Sequence, residues 1–120
     1  MHYTIVDHGG SKYIEVLSAE PRLGTEQDAV DIVALCMEHE SGYLLLHSEA
    51  LSEDFFKLRT GVAGHMMQKW INYRVKAAAV APKALIHQGR FKEMASEANK
   101  SRHFGVFESR EEAENWLLGE

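Results

Sequence analysis

Hydrophobic and polar positions near the start of the chain follow the two-residue period of a β-strand. Residues 3–6 and 13–17 are short apolar or β-branched runs. Between them lies the segment DHGGSK, where Gly9 and Gly10 can adopt the positive φ angles of a tight turn. The pattern predicts an N-terminal β-hairpin.

The next pattern has the period of an α-helix. Apolar residues recur at helical spacing at Ala29, Val33, Cys36 and Met37. Thr25 precedes them as a candidate N-cap, with Asp28 at the third helical position. Gly42 is the expected stop. These features predict a helix between Thr25 and Gly42.

Strands and helices then alternate to the end of the chain. The predicted elements are strands at 43–47, 74–80 and 103–107 and helices at 60–73, 91–100 and from 109 onward, with a helical turn capped by Ser52 before the first of these helices. This alternation predicts an α/β fold with a mixed sheet of about five strands, mostly parallel, and helices packed on it. We expect residues 1–120 to form one domain.

Composition narrows the classes of partner. The net charge is -5, and basic residues form no run longer than a pair. Such a chain gives no electrostatic support for binding nucleic acids or anionic membranes. Cys36 is the sole cysteine, and the first ten residues do not resemble a signal peptide. We therefore expect a soluble, cytoplasmic protein.

The seven histidines invite a metal hypothesis, but their spacing does not support one. They show no helical His-x-x-x-His pattern, and the sequence has no nucleophile elbow. We therefore predict no metal, no cofactor and no catalytic residue. His47 at a strand end and His65 in the following helix are the candidate pocket pair.

The segment RTGVAG is the strongest candidate site. Its residues are Arg59, Thr60, Gly61, Val62, Ala63 and Gly64. Thr60 as N-cap would leave the amides of Gly61, Val62 and Ala63 free to bind an anion, and Arg59 could pair with a phosphate on Thr60. Alternatively, Thr60 is only a cap, and Gly61 and Gly64 allow the helix to pack closely on the sheet.

Loops after the parallel strands are a second candidate region, because ligand crevices form at that edge of α/β sheets. These loops are SEALSEDFFKLR, APKALIHQG and ESR. Phe55 and Phe56 either cover the core or form a contact patch. Asn99, Lys100 and Arg102 are expected to form the cap at the end of their helix.

Several motifs resemble a known family. The chain contains Phe-Phe, Thr-Gly-x-x-Gly, Asn-Tyr-Arg-Val-Lys before a strand and Asn-Lys-x-Arg before the last strand. Over nearly its whole length it resembles the bacterial domain-of-unknown-function family 4180 (DUF4180). The element order is more distantly similar to STAS and SpoIIAA-like domains, in which a Ser or Thr at this helix start is a phosphorylated switch. That likeness places Thr60 at the switch position, although Leu58 and Arg59 depart from the usual acidic residue and serine.

Three functions remain open from the sequence. The leading hypothesis is a non-enzymatic regulatory or protein-interaction module of STAS-like fold, with Thr60 as the candidate switch. The alternative is a small-ligand binding protein or weak enzyme, with a pocket near His47, Arg59, Thr60 and His65. The third is a homodimer formed through exposed apolar loops.

Overall fold

The computed structural model describes residues 1–119. Five strands form one sheet in the order β1-β2-β3-β4-β5. Their bounds are β1 His2–His8, β2 Ser11–Ser18, β3 Tyr43–His47, β4 Lys76–Val80 and β5 Phe104–Phe107. β1 is antiparallel to β2, and the other neighbouring strands are parallel. The predicted mixed five-stranded sheet with an opening hairpin is confirmed.

In the described part of the chain, five helices pack on this sheet. They are α1 Glu26–Glu38, α2 Val62–Asn72, α3 Lys83–Ile86, α4 Phe91–Asn99 and α5 Arg110–Leu117. Three short 3₁₀ turns, Ser48–Ala50, Glu53–Phe56 and Leu58–Thr60, connect β3 to α2. The sequence did not predict α3, which is a single turn. Within residues 1–119, no helix has the length and apolar character that a membrane crossing requires.

The two faces of the sheet are covered differently. The parallel strands follow chain order across the sheet. Crossovers between parallel strands are right-handed as a rule, so successive connecting helices fall on one face. There Leu44 and Leu46 join a large core with residues of α1, α2 and α4. Trp70 of α2 stacks on Phe104, and its indole N–H donates to the carbonyl of Ala29 at 3.3 Å. We call this the crossover face.

α5 covers the opposite face, which we call the α5 face. Tyr13, Leu45 and Ala78 point to this side and pack with Ala113 and Leu117 of the helix. The helix starts at Ser109, whose hydroxyl accepts from the Glu112 amide at 3.1 Å. The strands inside the sheet therefore have two buried sides, which explains the nearly continuous apolar run of β3.

α1 begins as predicted and ends differently. Thr25 accepts from the Asp28 amide, and the Asp28 carboxylate accepts from the Thr25 amide, so the capping box is complete. The helix ends at Glu38, and the expected stop at Gly42 is wrong. Glu40 supplies the left-handed turn with φ 54°, which lets the Ser41 amide donate to the carbonyl of Cys36.

Asn99 does not cap its helix as expected. Its side-chain N–H donates to the Val106 carbonyl at 2.9 Å, and its side-chain oxygen accepts from the Val106 amide at 2.6 Å. Of the three residues expected to form the cap, Lys100 is the C-cap residue, with right-handed backbone angles. The amide of Asn99 thus bonds to the outer edge of β5 as a neighbouring strand would.

Candidate functional site

A half-open groove lies where the loops after β3 and β4 meet, beyond the carboxyl ends of these strands. Its volume is about 380 Å³. We call it the basic groove, and its lining residues are Phe56, Lys57, Leu58, Arg59, Gln88, Gly89 and Arg90. Ligands of α/β sheets bind at this edge, so its position is that of a binding site.

The basic groove combines cations with an apolar surface. Lys57, Arg59 and Arg90 line it, and within residues 1–119 none of the three forms an ion pair. Leu58, which is 38% exposed, supplies an accessible apolar side chain, whereas Phe56 also lines the groove but is 1% exposed. No acidic side chain of the described residues lines it, although the chain carries a net charge of -5. The groove therefore suits a group that is anionic on one side and apolar on the other.

Thr60 lies next to this groove but is not the helix N-cap, so that expectation is wrong. The 3₁₀ turn ends at Thr60, and Gly61, with φ 75°, is both its end and the cap of α2. The exposed Thr60 hydroxyl is the donor toward two carbonyl oxygens, that of Asp54 at 2.7 Å and that of Lys57 at 2.8 Å. It also accepts from the Val62 amide at 3.2 Å.

Two of the three amides expected to be free are already bonded. The Gly61 amide donates to the Leu58 carbonyl at 3.1 Å, and the Val62 amide donates to Thr60. Of the three amides expected to bind an anion, the amide of Ala63 is the one that has no partner among the described residues. Gly64 also differs from expectation, because a Cβ there would meet nothing within 4 Å. Close packing of the helix on the sheet does not require that glycine.

Phe55 and Phe56 are buried, so the interpretation of these residues as an exposed contact patch is wrong. Their rings lie 5.2 Å apart, and both pack against Phe91 of α4, at 6.2 and 5.3 Å. Phe55 also contacts Phe104 of β5. This aromatic cluster anchors the loop after β3 on the core and thereby fixes one wall of the basic groove.

His47 and His65 do not share a crevice. His47 lies two residues after Leu45 on β3, so both side chains point to the α5 face. His65 belongs to α2, which packs on the crossover face, and its exposed ring lies beside Gly61. Of the residues expected around a common pocket, Arg59 alone lines the basic groove, with Thr60 as its chain neighbour. The sheet separates the two histidines.

A second polar constellation lies on the α5 face around Glu15, which is 5% exposed. Arg110 donates to both oxygens of this carboxylate, at 2.8 and 3.1 Å, and His47 Nε2 lies 2.6 Å from one of them. Tyr13 donates to Glu114 at 2.6 Å and accepts from Arg110 at 2.8 Å. We call these five residues the Glu15 network.

Ionisation in the network follows from these contacts. Burial alone would raise the pKa of Glu15, but the hydrogen bonds from Arg110 and His47 outweigh it and hold that pKa below its usual value. Burial, together with the hydrogen bond to Glu114, raises the pKa of Tyr13. Glu15 is therefore an anion and Tyr13 a neutral donor at neutral pH.

The Glu15 network is a structural connection rather than a reactive site. Both Glu15 oxygens, the Tyr13 hydroxyl and the Arg110 Nε and Nη2 groups already have partners within the network. These bonds join β2, β3 and α5. A group whose bonding capacity is filled internally offers little to a substrate. No group of three or more His, Cys, Asp or Glu side chains in residues 1–119 is arranged to hold a metal ion.

Most residues of the basic groove and of the Glu15 network were not predicted from the sequence. Lys57 and Gln88 stand in loops that were named as the crevice, and Arg90 directly follows the second of these loops. The basic character of Lys57 and Arg90 was the available signal. Glu15 lies two residues after Tyr13 on β2. The two-residue period of a strand therefore already indicated that Glu15 shares the face of the apolar Tyr13. Its cation partner could not be identified that way, because Arg110 is distant in sequence.

Comparison with known proteins places this chain in a family. No curated protein and no solved structure matches it. The family model described as "Domain of unknown function (DUF4180)" matches residues 8–117. That range includes the basic groove and the whole Glu15 network. The chain therefore belongs to the DUF4180 family.

Proposed function

We propose that this protein is a non-enzymatic regulatory or protein-interaction module that binds its partner through the basic groove. The observation that carries the proposal is the placement of Lys57, Arg59 and Arg90 around an apolar surface at the carboxyl edge of the sheet. A half-open groove admits a side chain from another protein's surface, whereas a metabolite pocket usually buries most of its ligand. The expected setting is the bacterial cytoplasm.

The partner's chemistry follows from the lining. A volume of about 380 Å³ accommodates one bulky apolar side chain, which would contact the exposed side chain of Leu58. Carboxylates beside that side chain would pair with Arg59 and Arg90, since arginine binds carboxylates through two N–H groups. The fitting partner is an acidic protein segment with an exposed apolar residue.

Thr60 fits this proposal as a switch that acts on the shape of the groove. Its hydroxyl donates within a turn that carries the carbonyl oxygens of Asp54 and Lys57. A phosphate ester has no hydroxyl proton to donate at that position, and its negative charge would face those two oxygens. Phosphorylation would therefore displace the segment that bears Lys57 and Arg59 and alter partner binding.

Site-specific photo-crosslinking in the native host tests the docking site. A photoreactive residue in place of Leu58, which lines the basic groove, should trap one discrete partner. The same residue in place of Tyr73, which is 55% exposed and outside the groove, is the matched control. Charge reversal by Arg59→Glu with Arg90→Glu should abolish the adduct. No adduct from position 58, or the same adducts from both positions, would refute the proposal.

The cavity volume supports a second candidate function, the binding of a small organic anion. About 380 Å³ falls within the range of roughly 300–1,000 Å³ for ligand pockets. Native mass spectrometry of protein purified from its host should then show a bound small molecule, absent from the Arg59→Ala, Arg90→Ala variant. Protein that carries no such mass, with a discrete crosslinked protein at position 58, would exclude this candidate.

A further inference from the structure

The two edge strands of the sheet, β1 and β5, differ in whether their outer backbone groups are hydrogen-bonded. β5 has four residues, and the Asn99 side chain already bonds to both backbone groups of Val106 on its outer edge. β1 has seven residues and, among residues 1–119, pairs on one side alone, with β2. Within residues 1–119, no backbone group of β1 takes part in a turn or loop hydrogen bond. The outer edge of β1 therefore presents unpaired donors and acceptors.

β1 also lacks the residues that usually prevent edge pairing. Its sequence, HYTIVDH, contains no proline, lysine or arginine, and its one irregularity lies between His2 and Tyr3. Natural edge strands are commonly protected by lysine, proline, bulges or a covering element. Ile5, in the middle of the strand, is 41% exposed. An unprotected edge of this length indicates a surface that is covered in the functional protein.

We propose that β1 pairs with β1 of a second copy of this chain, antiparallel about a two-fold axis at Ile5, so that two sheets join into one of ten strands. The strand is complementary to itself in this register. Ile5 meets Ile5, Thr4 meets Val6 and Tyr3 meets Asp7, so the sole acidic residue of β1 faces a phenol instead of another carboxylate. A contact that pairs residue i with j and j with i is what two-fold symmetry requires.

This dimer is independent of the basic groove. The groove is built from residues 56–59 and 88–90, none of which lies in β1. Two grooves per dimer would give a partner with two acidic segments an avidity that one copy lacks. Failure of either proposal would leave the other standing.

Cysteine trapping and light scattering test the dimer. Light scattering of the native protein should give twice the 13.6 kDa chain mass. In Ile5→Cys, the paired Cα atoms would lie roughly 4.5–5.5 Å apart, within the range of a disulfide. Mild oxidation should then yield a covalent dimer, whereas Tyr73→Cys should stay largely uncrosslinked. The native Cys36 is buried and does not compete.

A charged residue in the middle of β1 should prevent the dimer from forming. Ile5→Lys should be monomeric with an unchanged circular dichroism spectrum, because position 5 is already partly exposed. A monomeric native protein would overturn the proposal. If the native protein is a dimer but the Ile5→Cys variant does not crosslink, or crosslinks no better than Tyr73→Cys, the proposal is overturned as well, because the contact would then lie elsewhere.

Discussion

Arg110 binds both carboxylate oxygens of Glu15 although 95 residues separate the two along the chain. The arginine opens α5, and the glutamate lies in β2 under nearly complete burial. The carboxylate is thus removed from water and compensated by groups from two other elements, Arg110 and His47. The position of α5 on the sheet and the ionisation of Glu15 depend on each other.

Removal of the arginine should destabilise the fold. Arg110→Ala leaves the Glu15 carboxylate buried without its main partner, and we expect a loss of about 2 kcal/mol in the free energy of unfolding. This is less than the roughly 3–5 kcal/mol typical of a fully buried pair, because the Arg110 side chain is 45% exposed. Urea unfolding measures it. Arg22→Ala, at an exposed site, should change stability by less than about 0.5 kcal/mol, and an equal effect of both variants would contradict this role.

The same carboxylate should make stability depend on acid pH. The pKa of Glu15 in the folded state is lowered, so its contribution is present above its unfolded value of about 4.3 and is lost as pH falls through the folded pKa. Between about pH 5 and pH 3, the native protein should lose more stability than Glu15→Gln. The other carboxyl groups are common to both proteins. Parallel unfolding curves across this range would be evidence against the prediction.

The two glycines at the start of α2 should respond to alanine in opposite directions. Gly61→Ala forces a left-handed φ of 75° on an alanine and should cost about 1–2 kcal/mol. Gly64→Ala fills open space inside a helix and should stabilise by about 0.5–1 kcal/mol. Urea unfolding of the two variants measures both changes. Loss of stability in Gly64→Ala would mean that this position needs a glycine after all.

Asn99→Ala should open the outer edge of β5. The variant loses two hydrogen bonds to Val106, worth about 1 kcal/mol net once the better helix propensity of alanine is included. Hydrogen exchange should show faster exchange at the Val106 amide. Asn115→Ala, at an exposed position of α5, should leave that exchange unchanged. Equal Val106 exchange in native protein and Asn99→Ala would refute the role of this side chain.

Cys36 should be inert in the folded protein. Burial raises the pKa of its thiol to about 11, so the reactive thiolate is scarce near pH 8. A disulfide reagent should therefore label the native protein at least ~100-fold more slowly than the urea-unfolded chain. Rapid labelling without urea would show that α1 opens readily or that the thiol is accessible.

Local signals in the sequence predicted much of the fold. The hairpin around Gly9 and Gly10 and the capping box of Thr25 depend on neighbours within a few residues, and both are present. The helix boundaries were predicted less accurately where a residue other than the expected one ends or caps the helix. Glu40 took the left-handed turn expected of Gly42, and Gly61 took the cap expected of Thr60. At Glu40 this conformation is costly for a side chain and is accompanied by the bond from the Ser41 amide to the Cys36 carbonyl, which the sequence does not display. At Gly61 the conformation suits the residue, and the sequence did not show which of two neighbours would be the cap.

The location of the basic groove could be predicted from the sequence, but most of its lining residues could not. The loops after β3 and β4 could be named because ligand sites of α/β sheets occur there. The meeting of Arg59 with Arg90 depends on α3, a helix of four residues that is too short to show a period. The Glu15 network depends on α5 crossing to the second face, a tertiary choice that no local pattern encodes.

The arrangement of α5 has a consequence for biosynthesis. It follows all five strands along the chain, and within residues 1–119 it is the one helix that packs on its face of the sheet. While the ribosome is still making this helix, Tyr13, Leu45 and Ala78 face water and Glu15 lacks its arginine. A chain stalled before Arg110 would present an apolar surface and an uncompensated carboxylate, the kind of intermediate that chaperones and proteases recognise. Completion of α5 thus covers the apolar surface and compensates the carboxylate in one step.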